Sequence, residues 1–303
     1  REKFQVLNKK INLLEPDFAG NEAKYLTECA ETGWISTGHF INKFEKKISN
    51  YTNSNYAIGC INGTSSLQVS LRLAGVKVND EIIVPSITFI APINAVLYNG
   101  ASPIFMDSDD KYNLDENKVI DFIKNETYFK NKSTYNKKTK KRISALIVVH
   151  VFGNALNFEN LYSICKKRNI EIIEDASESI GTIYTKGSFK SKHTGTIAKI
   201  GCLSFNGNKM ISCGGGGMIL TNNKTIAEKA RYLISQAKDN AKIYLHNSIG
   251  YNFRMSNIHA AVGLAQMERI NYFIKKKKLI YEFYLKKISK IDGISLLTSP
   301  KIF

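Results

Sequence analysis

The sequence contains no run of 18 or more apolar residues, which excludes a hydrophobic membrane-spanning helix. Its first residues, from Arg1, are polar and charged, and no apolar secretory core follows them. A start at Arg1 rather than Met is read as a trimmed terminus. Cysteine is scarce. The five residues Cys29, Cys60, Cys165, Cys202 and Cys213 form no CxxC pair and have no histidine cluster beside them. An odd count at irregular spacing argues against a disulfide framework and against structural zinc. Free thiols in a reducing cytoplasm are expected, with no membrane association and no metal. Acidic residues are also in deficit, 26 against 43 lysines and arginines, for a formal net charge of +17. That excess raises nucleic acid as a partner. The densest runs, 137–142 and 275–278, are not interleaved with stacking aromatics and carry no nucleic-acid motif. A solvated surface without nucleic acid is therefore expected, in a field that would attract an anionic substrate such as a nucleotide diphosphate.

What is present is enough for a sizeable core: 303 residues, 43% of them hydrophobic, suit one large domain and part of a second. From residue 56 to 221, short β-rich runs alternate with helical stretches. The runs 56–60, 81–84, 103–106, 145–149, 170–173, 201–205 and 218–220 read as buried strands. Residues 64–73, 91–98, 115–123, 158–168 and 224–235 read as helices. This alternation predicts an α/β fold with a mostly parallel seven-stranded sheet and helices on both faces. Ligands of such sheets sit at the carboxyl ends of the strands. Residues 125–142 read as an exposed hairpin or loop insertion, and 256–290 as one or two long helices. The apolar patch Ile294–Leu297 reads as the start of a smaller α+β domain whose remainder is missing.

Four stretches carry chemistry. In Ser204-Phe205-Asn206-Gly207-Asn208-Lys209, a lysine lies between a strand end and the glycines 214–217. Glycines let a backbone approach a ligand closely, and a partly desolvated lysine can lose its proton and attack a carbonyl; a solvent-facing lysine beside a flexible hairpin is the plainer alternative. The run Ile172-Ile173-Glu174-Asp175 is an apolar strand ending in carboxylates. It puts Asp175 at the ligand edge, where a buried carboxylate needs a cation such as a protonated pyridine nitrogen, unless it is only a cap or an ion-pair partner. In Asn62-Gly63-Thr64-Ser65-Ser66, small residues open a helix, which suits either a phosphate site or a plain N-cap. In Thr88-Phe89, an aromatic in a strand-to-helix loop could cover a planar ring or belong to the core. His150 and His246 are further residues that could meet substrate or serve structure.

Taken together, the order and placement of these stretches resemble the DegT/DnrJ/EryC1/StrS sugar aminotransferases, the fold-type I pyridoxal-phosphate enzymes that aminate nucleotide-linked keto sugars. The resemblance runs from about residue 15 to 270. It rests on Asn62-Gly63-Thr64, Gly75, Asp80–Pro85, Thr88-Phe89, Gly100–Pro103, Val149–Gly153, Glu174-Asp175-Ala176, Ser204-Phe205 with Lys209, and Gly250–Met255. Residues 34–37, 136–139, 204–209 and 236–239 look like the branch serving legionaminic-acid or bacillosamine-type synthesis. The resemblance implies glutamate as amino donor and C4 of a nucleotide-activated 4-keto-6-deoxy-N-acetylhexosamine as acceptor. It also implies pyridoxal 5'-phosphate as cofactor and a cytoplasmic homodimer with shared active sites.

By the same resemblance, Lys209 is the Schiff-base lysine and the proton carrier. Asp175 faces the pyridinium nitrogen, and Phe89 stacks on the ring. Gly63, Thr64, Ser65 and Ser204 hold the phosphate, and Asn252 reaches it from the other subunit. Glu178 stands where many relatives carry Gln near the ring hydroxyl. Residues 1–255 are expected to form the large cofactor-binding domain, and 256–303 the linking helices and the start of the small one. Two rivals stand beside amine transfer. One is a dehydratase on the same scaffold, whose relatives replace the lysine with histidine. The other is a non-catalytic binding or regulatory protein.

Overall fold

The computed structural model describes residue 12, residues 14–240 and residues 242–297. Two helices come first, α1 (Glu22–Thr32) and α2 (His39–Thr52). The alternating part runs β1 (Tyr56–Cys60), α3 (Gly63–Leu73), β2 (Glu81–Pro85), α4 (Ile90–Tyr98), β3 (Ser102–Met106) and α5 (Glu116–Asn125). A hairpin of β4 (Thr127–Lys130) and β5 (Ser133–Asn136) precedes β6 (Arg142–Val149). Next come α6 (Glu159–Lys167), β7 (Glu171–Asp175), β8 (Ile200–Ser204), β9 (Gly217–Thr221), α7 (Lys224–Ile234), α8 (Asn257–Glu268) and α9 (Ile270–Ile288).

The main sheet has the order β1-β9-β8-β7-β6-β2-β3. Its pairings from β8 across to β3 are parallel, whereas β9 runs antiparallel to both neighbours. All seven strands expected from apolar runs are present. The direction of β9 was not legible, because an apolar run does not encode which way the chain passes through the sheet. The insertion at 125–142 is a hairpin, and it is less exposed than expected: β5 pairs with β6, and Thr127, Thr134 and Asn136 are buried. Strand β6 alternates between two cores. Ile143, Leu146 and Val148 face the core that α5 and α6 cover, while Ala145, Ile147 and Val149 face the one under α3 and α4. The period is two from Ala145 to Val149, with Ile143 set across the register shift opposite Glu81 and Ile82, and helices on both sides give the sheet its near-continuous apolar strands. Helices α2 and α8 close the first of these faces toward β8 and β9, where the Phe44 ring lies 5.0 Å from that of Phe205.

The basic runs divide as their chemistry dictates. Lys275 to Lys278 are exposed along α9, whereas Arg142 is drawn into an ion pair with Asp80. Among the described residues, no helix is long and apolar enough to cross a membrane, and no group of His, Cys, Asp and Glu could hold a metal.

Candidate active site

Because β1 is antiparallel to β9 and β9 antiparallel to β8, the carboxyl ends of β1, β2, β6, β7 and β8 all emerge at one edge. A cleft of about 500 Å3 opens there, lined by residues just past each of these ends. Asn62, Gly63 and Thr64 follow β1, Thr88 and Phe89 follow β2, and His150 to Phe152 follow β6. Asp175 ends β7 with Ser177 and Glu178 just past it, and Ser204 ends β8 with Asn206, Asn208 and Lys209 just past it. Lys209 and Asp175 thus line one cavity.

Lys209 is mostly enclosed, its side chain 14% exposed, and its Nζ donates to Glu178 Oε1 at 2.9 Å. The other oxygen of Glu178 accepts the Phe152 N–H at 3.0 Å. Glu178 therefore ties the lysine to the turn after β6. Asp175 is 5% exposed. Burial pushes its carboxyl above the ordinary carboxylate range, while the Ser177 N–H (3.0 Å) and hydroxyl and the Lys209 charge pull it back. A carboxylate so placed is completed by a cation.

Thr64 sits at the first turn of α3. The Asn62 side chain accepts the Ser65 N–H at 2.7 Å and caps the helix. Ser65 is consequently buried behind the cleft, and its own N–H is taken. Among the described residues no partner holds the Thr64 hydroxyl, which faces the cleft at the positive end of the helix dipole. Gly63 is obligatory for this packing: a Cβ there would lie 2.8 Å from the Ser204 Cβ. Phe89 stands at the mouth, 77% exposed, free to cover a planar ligand and no part of the core. Sequence reasoning gave Thr88 no role, yet its buried Oγ1 has no hydrogen-bond partner and it lines the same cleft. A cavity with a cradle for an anion, a buried carboxylate, an enclosed amine and an exposed aromatic at its rim fits a phosphorylated pyridine aldehyde.

One sequence reading needs correction, and one open alternative is resolved. None of the glycines 214–217 lines the cleft. They let the protein approach itself: a Cβ on Gly217 would fall 2.4 Å from the Asn62 carbonyl carbon, so β9 can begin only with glycine against the β1–α3 turn. His150 is not available to substrate through its ring. It is fully buried, Nδ1 accepts the Leu156 N–H at 3.2 Å, and Nε2 therefore carries the proton given to Glu174 at 3.1 Å. Glu174 spends its other capacity on the N–H groups of Gly195, Ile197 and Ala198. His246 is exposed, and its Nδ1 lies 2.9 Å from the Gln236 carbonyl oxygen. Asn252 lines a different cleft of the same chain.

Comparison with known proteins decides the family. The profile of the DegT/DnrJ/EryC1/StrS aminotransferase family matches residues 16–302. The chain belongs to this aminotransferase family. It is 38% identical over 284 residues to GDP-perosamine synthase of Escherichia coli O157:H7, covering 93% of this chain and 72% of that protein. It is 30% identical over 260 residues to dTDP-3-amino-3,6-dideoxy-alpha-D-galactopyranose transaminase of Aneurinibacillus thermoaerophilus, over 85% of this chain and 65% of the relative. Among solved structures, a DegT DnrJ EryC1 StrS aminotransferase from Brucella abortus superposes with a TM-score of 0.83 at 27% identity, covering 93% of this chain and 72% of that one.

Proposed function

We propose that this aminotransferase uses pyridoxal 5'-phosphate to move an amino group from glutamate to C4 of a nucleotide-linked 4-keto-6-deoxy sugar. The observation that carries this reading is the meeting of Lys209 and Asp175 in one cleft beside the N-terminus of α3. Bound there, the cofactor supplies an electron sink for charge developing on the donor carbon. The remaining work belongs to the chain. Lys209 would hold the cofactor through its ε-amine and, as a free amine, would serve as the acid and base that moves a proton at the reacting carbon. Asp175 keeps a proton on the ring nitrogen. Gly63, Thr64 and Ser204 would hold the phosphate with Ser65 behind them, Phe89 would cover the ring, and Glu178, beside the lysine, would serve the ring hydroxyl.

We assign Asn252 to the phosphate of a partner subunit in a homodimer, which accounts for its position outside its own chain's main cleft. In this reading the described residues up to 255 belong to the cofactor domain and 256–297 lead toward the smaller one, while 1–11, 13, 241 and 298–303 of the expected 1–255 and 256–303 lie outside the described residues. Five free, buried cysteines suit a reducing cytoplasm. The relatives' names, carrying GDP and dTDP, make those two nucleotides the first to test, and the stretches at 34–37, 136–139, 204–209 and 236–239 make an N-acetylated sugar the preferred acceptor.

The test is a screen of nucleotide-linked 4-keto sugars with glutamate, read by the mass shift of ketone to amine and by 2-oxoglutarate release. Amination at C4 with stoichiometric 2-oxoglutarate is expected. Loss of water from the sugar without 2-oxoglutarate would instead establish the dehydratase. A visible spectrum unchanged by glutamate would point to a non-catalytic protein.

A further inference from the structure

Among the described residues, Thr88 Oγ1 is one of two buried side-chain polar atoms without a hydrogen-bond partner. The other, Ser144 Oγ, lies within β6 and away from the cleft. Thr88 lines the cleft just past the end of β2, next to Phe89. A buried hydroxyl that has given up water and gained no partner weakens a fold. At a cleft wall, the missing partner can arrive with a ligand. One staggered step about χ1 exchanges hydroxyl and methyl, which turns the group without moving the backbone.

Three anchors fix where the ligand's atoms fall. In pyridoxal phosphate the ring nitrogen stands opposite the aldehyde carbon, and the phosphate arm and the ring hydroxyl flank that carbon on opposite sides. With Asp175 at the nitrogen, Lys209 at the aldehyde and the cradle after β1 at the phosphate, the hydroxyl falls on the side away from β1 and β8. Residues past β6 and β2 wall that side. Three donors on the β6 part of the wall are taken. The His150 ring bonds Leu156 and Glu174, the Val151 N–H goes to Asn113 Oδ1, and the Phe152 N–H goes to Glu178. Glu178, as a carboxylate, accepts and does not donate. Among the described residues, the Thr88 hydroxyl is the unpartnered side-chain donor of that wall.

We propose that the Thr88 hydroxyl donates a hydrogen bond to the ring-hydroxyl oxygen of the cofactor, whose own proton goes to Glu178. The inference rests on the cofactor reading above and adds a positioning residue to it. A ring held at its phosphate on one flank and at its hydroxyl on the other resists tilting about the line from Asp175 to Lys209. The reacting carbon then stays aligned with the lysine amine.

Calorimetric titration of the cofactor-stripped full chain tests this without any turnover. The two probes are pyridoxal 5'-phosphate and 3-deoxypyridoxal 5'-phosphate, which lacks the ring hydroxyl. Thr88→Val keeps the shape of the side chain and should weaken binding of the first about tenfold, the loss of one hydrogen bond. Binding of the second should be unchanged. Thr88→Ser should recover most of the affinity for the first. The cofactor-free Thr88→Val protein should melt no lower than the parent, because a hydroxyl without a partner lends the empty fold nothing. Undiminished affinity of Thr88→Val for pyridoxal phosphate overturns the proposal. An equal loss for both probes also overturns it, because Thr88 would then serve packing and not the ring oxygen. A lower melting temperature of the empty variant overturns it too, since the hydroxyl would then have a partner within the protein. A parent chain that binds neither probe would sink the cofactor reading itself, a result distinct from each of these.

Discussion

The main cleft and the second cleft differ in how the chain makes them. The first is framed by five strand ends at one edge of a sheet, each fixed by ladder hydrogen bonds and an apolar core. The second is framed by loops and turns at residues 36–37, 235–238 and 252–256, with Tyr232 from the end of α7. The first combines an exposed aromatic and apolar walls with a few buried polar groups. The second is polar, cationic and free of acid. A rigid edge with a desolvated carboxylate and amine can hold a ring and move protons at it. A polar cleft between loops can hold charge at modest cost and adapt to what carries it. The comparison teaches that a sheet edge fixes buried polar groups against one another, whereas loops gather exposed charge.

The sharpest way to break that contrast is Lys209→Ala. Amine transfer should fall by about 10^3-fold or more, the range of a lost acid–base group, with a nucleophile lost besides. Treatment with borohydride should leave no cofactor attached, and a variant that still transaminates near the normal rate would move the chemistry out of the main cleft. Asp175→Asn should cost about 10^2- to 10^3-fold in rate, by analogy with a lost preorganised electrostatic partner.

Asp175→Asn should act in the opposite direction on stability. The folded cofactor-free protein holds the Asp175 proton more tightly than the unfolded chain does. The stability this group contributes is therefore present at low pH and lost as pH rises from the ordinary carboxylate range through the elevated folded value. At pH 8 the cofactor-free asparagine variant should melt no lower than the parent and, from this group, higher. A lower melting temperature would mean that Asp175 is paired, not strained.

Gly63→Ala should reduce cofactor retention and destabilise by about 1–3 kcal/mol, since the new Cβ meets Ser204 at 2.8 Å. Denaturant melts with and without cofactor separate the two effects. Phe89→Ala should weaken cofactor binding by roughly tenfold at most, the worth of one stacked ring, and leave the fold intact because the ring is exposed. The smallest effect sharpens the contrast. Raising salt from about 0.05 to about 0.5 M should leave cofactor retention at the sheet edge nearly unchanged, because screening acts on exposed charges such as those of the loops.

Much of this was legible beforehand, for reasons particular residues make clear. The strand runs and the helices between them followed from period and length, and the placement of Asp175 and Lys209 followed from the rule that α/β sheets bind ligands at carboxyl strand ends. The reversed β9 was not legible, and neither was the duty of glycines 214–217, which only the approach of β9 to Asn62 reveals. His150 looked available until its partner Glu174 was seen from the neighbouring strand. Thr88 was hidden for the opposite reason: an absence of partners has no sequence signature. Lys238 and Arg254 were two cations among 43 until folding placed them on one cavity without an acid.

The sequence by itself determined the class of the fold, the family and which residues stand at the strand ends around the cleft, because apolar periodicity and strand-end motifs are local and survive being read in one dimension. Tertiary structure alone decided strand direction, which glycines serve packing and which a ligand, which histidine is spent internally, and where unpaired charge gathers. Those are properties of pairs far apart in the chain, and a linear order does not state which distant groups come within a few ångströms.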